Sequence, residues 1–248
     1  MVSFFYKCIH ISFALAILSI LSCNTSTNKR HEARELLESA IKTADSNSLY
    51  FNSTQKFKID DLHYTLTRQQ HIKDFKVERF KDSMHYIATY ENGFTQYIVN
   101  DSLQEHNFYS IKFNENRLEG FAYTYGIPHV LQQNDVILEK KEDVLIQNTW
   151  HHVVHVSFKK QEGFQDNEFY LYINPATNYV TYYAQKYQTQ GEVLKFIRRY
   201  NFRRVNGILF CDQYVFTSGK DTIPLNKMYE KYNSSELKTL FHYEKVTY

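Results

Sequence analysis

A mainly β (α+β) fold is predicted, of long antiparallel strands with one or two helices. Three observations predict it. The 248 residues hold 21 Tyr and 19 Phe against seven Gly and three Pro, and such rings favour pleated, half-buried surfaces. Few segments carry apolar residues at helical spacing over a helix length. Asn-Gly and proline-set turn signals separate the alternating runs.

The chain opens with one early cation, Lys7, and an apolar run from Cys8 to Leu21 broken only by His10 and two serines. A membrane span needs about 20 apolar residues, so the run reads as a secretory h-region ending at the small Ser22. This predicts a signal peptide over residues 1–22, a tether over 23–29 and a single β-rich domain over 30–248.

Within that domain, a helix is expected over Arg30 to Ala44. Ala33, Leu36, Leu37, Ala40, Ile41 and Ala44 make one apolar stripe, and Asp45-Ser46-Asn47-Ser48 ends it. Strands follow at Gln55–Ile59, His63–His71 and Phe75–Phe80. Met84–Tyr90 and Phe94–Val99 flank Asn92-Gly93, a type I′ hairpin signal. A second helix is expected near Asn116–Tyr125, closed by Gly126-Ile127-Pro128 because proline cannot continue it. The short apolar piece His129–Gln132 leads into a long meander.

In the meander Val136–Ile146 is set against Trp150–Lys159, and the polar loop Gln161–Asn167 carries Gly163. Glu168–Ile173 meets Tyr179–Tyr187 across Asn174-Pro175-Ala176-Thr177-Asn178. Val193–Val205 meets Ile208–Thr217 across Asn206-Gly207. Thr222–Tyr232 and Leu237–Thr247 are expected as the closing strands. Alternation puts Leu194, Phe196, Arg198, Tyr200 and Phe202 on one strand face, and Tyr179, Tyr183 and Tyr187 on one face of the strand before it. Both faces of each strand hold rings. Either helices cover one face and rings line the other, or the sheet curls around an apolar space.

Two resemblances add to this. Ile20-Leu21-Ser22-Cys23 resembles the lipobox of bacterial lipoproteins, with Ile20 in place of the usual leucine. The resemblance implies cleavage before Cys23 and acylation of Cys23; an uncleaved N-terminal anchor is the alternative. The stretch Val136 to Phe216, including Val154-His155-Val156-Ser157-Phe158, Tyr170 to Thr177 and Arg203 to Ile208, resembles an uncharacterised family of Gram-negative envelope lipoproteins. The strand-turn-strand Tyr172 to Val180 is similar to the lipoprotein-carrier (LolA-like) superfamily. That likeness implies a curved antiparallel sheet, an open half-barrel, closed by one or two helices over an apolar cavity. Asn24 differs from the aspartate that resembles an inner-membrane retention signal, and no acidic run follows Cys23. The expected place is the outer membrane, facing the periplasm, held by the lipid.

Composition narrows the function classes. Lys plus Arg is 29 and Asp plus Glu is 27, for a net charge of +2, so nucleic acid is not an expected partner. With Cys8 removed and Cys23 acylated, only Cys211 remains, and the fold is expected to do without disulfides. No cofactor is expected. His151, His152 and His155 lie on one predicted strand, where His151 and His155 would stand about 13 Å apart by strand rise, so no metal site is expected. Asp60-Asp61 and Glu139 to Asp143 group carboxylates without a recognisable catalytic pattern. Cys211 reads as a buried, inert thiol.

Arg198, Arg199, Arg203 and Arg204 form the densest basic cluster. They are either solvated charge or include a cavity-mouth arginine able to grip a carboxylate or phosphate with two nitrogens. Alternation puts Arg198 and Arg204 on one face and Arg199 and Arg203 on the other. Arg198 is the candidate because it shares a face with Phe196 and Tyr200. The expected ligand site is therefore Phe196, Arg198, Tyr200, Phe202 and Tyr183. The leading function is binding or carrying a lipid or other amphiphile. A ligand-free envelope scaffold is the alternative, and an enzyme comes third; no catalytic residue is expected.

Overall fold

The described residues build two antiparallel sheets. The computed structural model describes residues 27–243 except 46, 60–61, 70–71, 82, 92–93, 105–125, 133–134, 160–166, 188–192 and 220–222. The expected signal peptide, Cys23, Asp60-Asp61, Asn92-Gly93, the helix at Asn116–Tyr125 and most of the loop at Gln161–Asn167 lie outside the described residues.

The first sheet is a meander of β1 (Asn52–Ile59), β2 (Leu62–Gln69), β3 (Ile72–Lys81), β4 (Met84–Glu91), β5 (Phe94–Val99) and the short β6 (Ser102–Leu103). The second has seven strands: β7 (Val136–Ile146), β8 (Thr149–Phe158), β9 (Glu168–Ile173), β10 (Val180–Tyr187), β11 (Val193–Val205), β12 (Ile208–Thr217) and β13 (Lys238–Tyr243). Its strands also follow chain order. β7 and β13 are its two edges, so the sheet stays open. The mainly β, antiparallel, unclosed architecture is as expected; its division into two sheets is the difference.

Helix α1 covers residues 27–44. Its stripe of Ala33, Leu37, Ala40, Ile41 and Ala44 is buried, and each large apolar side chain buried this way contributes about 1.5–3 kcal/mol. The stripe meets one face of the second sheet, where Leu138, Val154, Phe169, Leu171, Tyr183, Ile197 and Val215 join Ile127 and Leu131 in one core. The opposite face holds Val153, Tyr172, Ala184 and Phe196, packed against Leu225 and Met228 with Tyr229 and Tyr232 around them. The second sheet is thus buried on both faces, which explains why its strands carry rings on both.

In the segment Thr222–Tyr232, expected as a strand, the residues from Leu225 on are helical, and Thr222 lies outside the described residues. A 3₁₀ turn at Leu225–Lys227 leads into α2 (Met228–Asn233). Pro224, at φ −62°, suits a helix start. Leu225, Met228, Tyr229 and Tyr232 follow at three- and four-residue spacing, so one face of the turn-and-helix presses on the sheet. The hairpin at Asn206-Gly207 is as expected: both residues have positive φ, 50° and 85°, and Val205 pairs directly with Ile208.

Candidate functional site

The candidate site forms where the end of α1, the first sheet and the helix-covered face of the second sheet come together. Asp45 ends α1. Its carboxylate accepts the backbone N–H of Tyr50 at 2.5 Å and of Asn47 at 3.2 Å, and its backbone forms a bridge with Ile208 on β12. The carboxylate thereby satisfies N–H groups of the turn that follows the helix. This fixes Tyr50 in the interior, in the 3₁₀ turn Leu49–Phe51. The Tyr50 ring stacks on His129 with centroids 4.3 Å apart. The Arg68 guanidinium sits 4.0 Å from the same ring's centroid. Gly126 makes room: a Cβ there would lie 2.3 Å from the Tyr50 hydroxyl and 2.2 Å from Val130 Cγ1.

Arg68 reaches this place by alternation. Tyr64, Leu66 and Arg68 are successive inward residues of β2, all buried. Arg68 is only 4% exposed, and among the described residues neither Nη1 nor Nη2 has a hydrogen-bond partner. The Tyr50 hydroxyl is likewise buried without a partner. Burial of an unpaired cation costs several kcal/mol even after relaxation. The cation–π contact recovers about 2 kcal/mol when desolvated and leaves the Nη1 and Nη2 hydrogens unused.

The second sheet adds the other half. Arg199 is 7% exposed. Its Nε donates to Cys211 Sγ at 3.0 Å and its Nη1 to the Val180 carbonyl at 3.2 Å. Its cross-strand partner Gln213 is fully buried, with neither amide atom partnered. Among the described residues, the charged groups that act on His129 are the cations Arg68 and Arg199 and the anion Asp45. Burial, aided by the two arginines against Asp45, pushes the His129 imidazole down to about 4, so it is neutral at pH 7. Burial pushes the Tyr50 hydroxyl up to about 12 against the pull of Arg68, and burial likewise lowers the Arg68 guanidinium. Among the described residues the site has more positive than negative charge, and the Arg68 terminal nitrogens and the Tyr50 hydroxyl are donors without acceptors. A small anion would complete it.

The residues expected from sequence are dispersed. Phe196 is fully buried in solid packing: its ring lies 4.8 Å from Tyr232, 5.7 Å from Tyr182 and 5.8 Å from Tyr172. Arg198 is exposed, its guanidinium 5.6 Å from the Tyr200 ring. Tyr200 stacks on Tyr214 at 5.0 Å. Tyr183 points to the other face, inside the helix-covered core. Phe202 leaves the Phe196 face because the β11–β12 register shifts between Tyr200 and Arg203, with Asn201 at φ 50°. Such a bulge inserts one residue and reverses the later side chains. Phe202 therefore packs 4.7 Å from Tyr179, with the buried Arg199 5.8 Å from its ring.

The same bulge corrects the arginine faces. Arg203 pairs with Asp212 at 2.8 Å, opposite Tyr200 on the Arg198 side. Arg204 donates to the Gly207 carbonyl at 3.0 Å and to the Thr43 carbonyl at the end of α1. The buried arginine of the cluster is Arg199, not Arg198.

Sequence reasoning missed Tyr50, Arg68 and His129. One signal was available: an arginine in strand register with Tyr64 and Leu66 is an inward cation. Cys211 is buried. His155 lies 2.7 Å from Glu168 and 3.9 Å from Glu139, and His152 lies 2.9 Å from Asp143. Among the described residues no three His, Cys, Asp or Glu side chains are grouped to hold a metal ion. No described helix is long and apolar enough to cross a membrane.

Over residues 9–245 the chain matches DUF6503, described as a family of unknown function. The chain belongs to this family. No curated protein matches the sequence. Among solved structures the DUF6503 chain is similar to a DUF1329 family protein from Desulfovibrio piger. Identity is 8% and the TM-score 0.44, over 75% of this chain and 86% of that one. A likeness of that degree carries no functional argument, so function rests on the side chains themselves.

Proposed function

We propose that this DUF6503 protein is a periplasm-facing lipoprotein of the outer membrane, anchored through Cys23, that binds or carries an amphiphile inside its β-rich domain. One observation carries the ligand part: in the buried site at Tyr50, Arg68, His129 and Arg199, the Arg68 terminal nitrogens and the Tyr50 hydroxyl have no hydrogen-bond partner among the described residues. Buried polar groups in native proteins are nearly always partnered, so an interior left open in this way calls for an occupant. The lipobox-like Ile20 to Cys23 supports the anchor. One acyl chain holds a protein to a membrane only marginally, and two or more hold it stably, at about 0.8 kcal/mol per buried CH₂.

Two measurements on full-length protein extracted from membranes test the reading. Intact mass should give a chain that begins at a multiply acylated Cys23, and Cys23→Ala should abolish the added mass. An unmodified Cys23, or a chain still starting at Met1, refutes the anchor. Organic extraction and mass spectrometry should recover one amphiphile in near-stoichiometric amount beyond the covalent lipid. Recovery of none refutes the carrier and leaves the second reading, a ligand-free scaffold that docks a protein partner. The packing of Phe196 among Leu225, Met228, Tyr182 and Tyr232 favours that alternative, because on that face the rings are held by one another.

A further inference from the structure

The buried site also specifies which chemistry an occupant presents to it. Four features converge. Arg68 offers two terminal nitrogens, buried and without acceptors. Arg199, a buried cation of β11 whose charge acts on His129, has two of its donors fixed by Cys211 and Val180. Asp45, the acidic group that acts on His129 from the end of α1, has its carboxylate engaged by the N–H groups of Tyr50 and Asn47. The Tyr50 hydroxyl is a further free donor, and its ring holds Arg68 and His129 in place.

We propose that Arg68 is the anchor of an anion site, with Arg199 supplying the second positive charge and Tyr50 a neutral donor, and that the site takes the carboxylate or phosphate head of an amphiphile. This rests on the carrier reading above and adds the head group to it. A guanidinium presents a planar fork that matches two oxygens of one carboxylate or phosphate, and such paired, charge-assisted bonds are about twice as strong as neutral ones. A neutral head such as an alcohol would leave the buried cation uncompensated. A cationic head would meet two arginines. The carboxylate and phosphate cases share one requirement, a compact anion with at least two acceptor oxygens.

The test uses full-length protein in nanodiscs of zwitterionic phosphatidylcholine, with melting temperature as the readout, since a ligand that binds only the native state raises it in proportion to ln(1 + [L]/Kd). The probes are oleate, oleyl alcohol and inorganic phosphate. Oleate should bind at least tenfold more tightly than oleyl alcohol. Arg68→Met should weaken oleate at least tenfold, while its ligand-free melting temperature holds or rises because an unpaired buried cation is gone. Arg68→Lys, which keeps the charge and loses the fork, should fall between. Oleyl alcohol binding as tightly as oleate overturns the anion site and leaves the carrier reading standing. Phosphate alone stabilising as strongly as oleate, and losing its effect in Arg68→Met, sustains the anion site and overturns the amphiphile. No response to any probe overturns both. A ligand-free Arg68→Met protein that melts far below wild type makes Arg68 structural and overturns the proposal.

Discussion

Phe196→Ala separates the two faces of the second sheet. The ring is fully buried, with three aromatic neighbours whose centroids lie between 4.8 and 5.8 Å away. Truncating a buried Phe costs about 3–5 kcal/mol, part of it for the cavity left behind. Each well-placed aromatic pair adds about 0.5–1.5 kcal/mol beyond area burial, which puts Phe196 near the top of that range. In a protein of this size 1 kcal/mol moves the melting temperature by about 2–4 °C, so a fall of about 10 °C or more is expected. The urea midpoint should drop with the slope unchanged, the mark of lost stability without a change in the denatured state. The oleate response should persist, because Phe196 faces α2 while Arg199 faces away from it. Arg198→Ala, on an exposed side chain, should change stability by about 1 kcal/mol at most. A Phe196→Ala protein that loses under about 1 kcal/mol refutes the reasoning. So does one that keeps its stability and loses oleate, because the face would then be ligand space.

Three further substitutions probe the scaffold around the site. Gly207→Val places a β-branched residue at φ 85° with its Cβ 2.9 Å from Leu49 Cδ1, and should cost about 1–3 kcal/mol by thermal melting; an unchanged melting temperature would disprove the type I′ turn. His129 makes stability depend on pH. Its imidazole is held at about 4 against 6.5, so between these values the unfolded chain binds a proton that the native protein refuses. Stability is therefore flat in this group above pH 6.5 and falls as the pH drops toward 4, by about 3 kcal/mol in total at 1.36 kcal/mol per pH unit. Urea titrations across that window should show the slope, and His129→Phe should remove that part of it. Gly126→Ala drives a methyl group to within 2.3 Å of both Val130 Cγ1 and the Tyr50 hydroxyl. It should cost about 1–3 kcal/mol by overpacking and weaken oleate as well, since Tyr50 positions Arg68; full oleate affinity would show that the Tyr50 position does not matter.

Much of the second sheet was legible because its signals are local. β7, β9, β11 and β12 have the bounds that alternation and turn residues imply, and α1 follows its apolar stripe. Asn206-Gly207 announced its own turn. The errors arose where long-range packing overrides local pattern. Thr222 to Tyr232 has strand-like composition, yet Pro224 and the cover it provides to Tyr172 and Phe196 make it helical. The bulge at Asn201 has no sequence mark beyond a residue that tolerates positive φ, and one inserted residue moved Phe202 and Arg203 to the wrong faces. The site itself joins residues from 45 to 213. No spacing rule connects Asp45, Tyr50, Arg68, His129 and Arg199, and only the inward register of Arg68 was readable in advance.

The abundance of rings first pointed to a ligand, and the structure removes that argument. A sheet covered on both faces needs apolar residues on both, and its rings are satisfied by one another. Contact alone completes an apolar side chain, whereas a polar one needs a specific partner. The informative residues are therefore those the protein leaves incomplete. Tyr172 on the α2 side has a buried hydroxyl with no partner, but it is neutral and costs only about 1–3 kcal/mol. Arg68 carries a full charge at comparable depth. The cost of leaving it unpaired exceeds that of the hydroxyl, and the energy recovered on pairing it is larger in proportion. Charge rather than aromaticity is therefore the basis on which the proposed ligand site is placed at Tyr50, Arg68, His129 and Arg199, on the α1 side of the sheet.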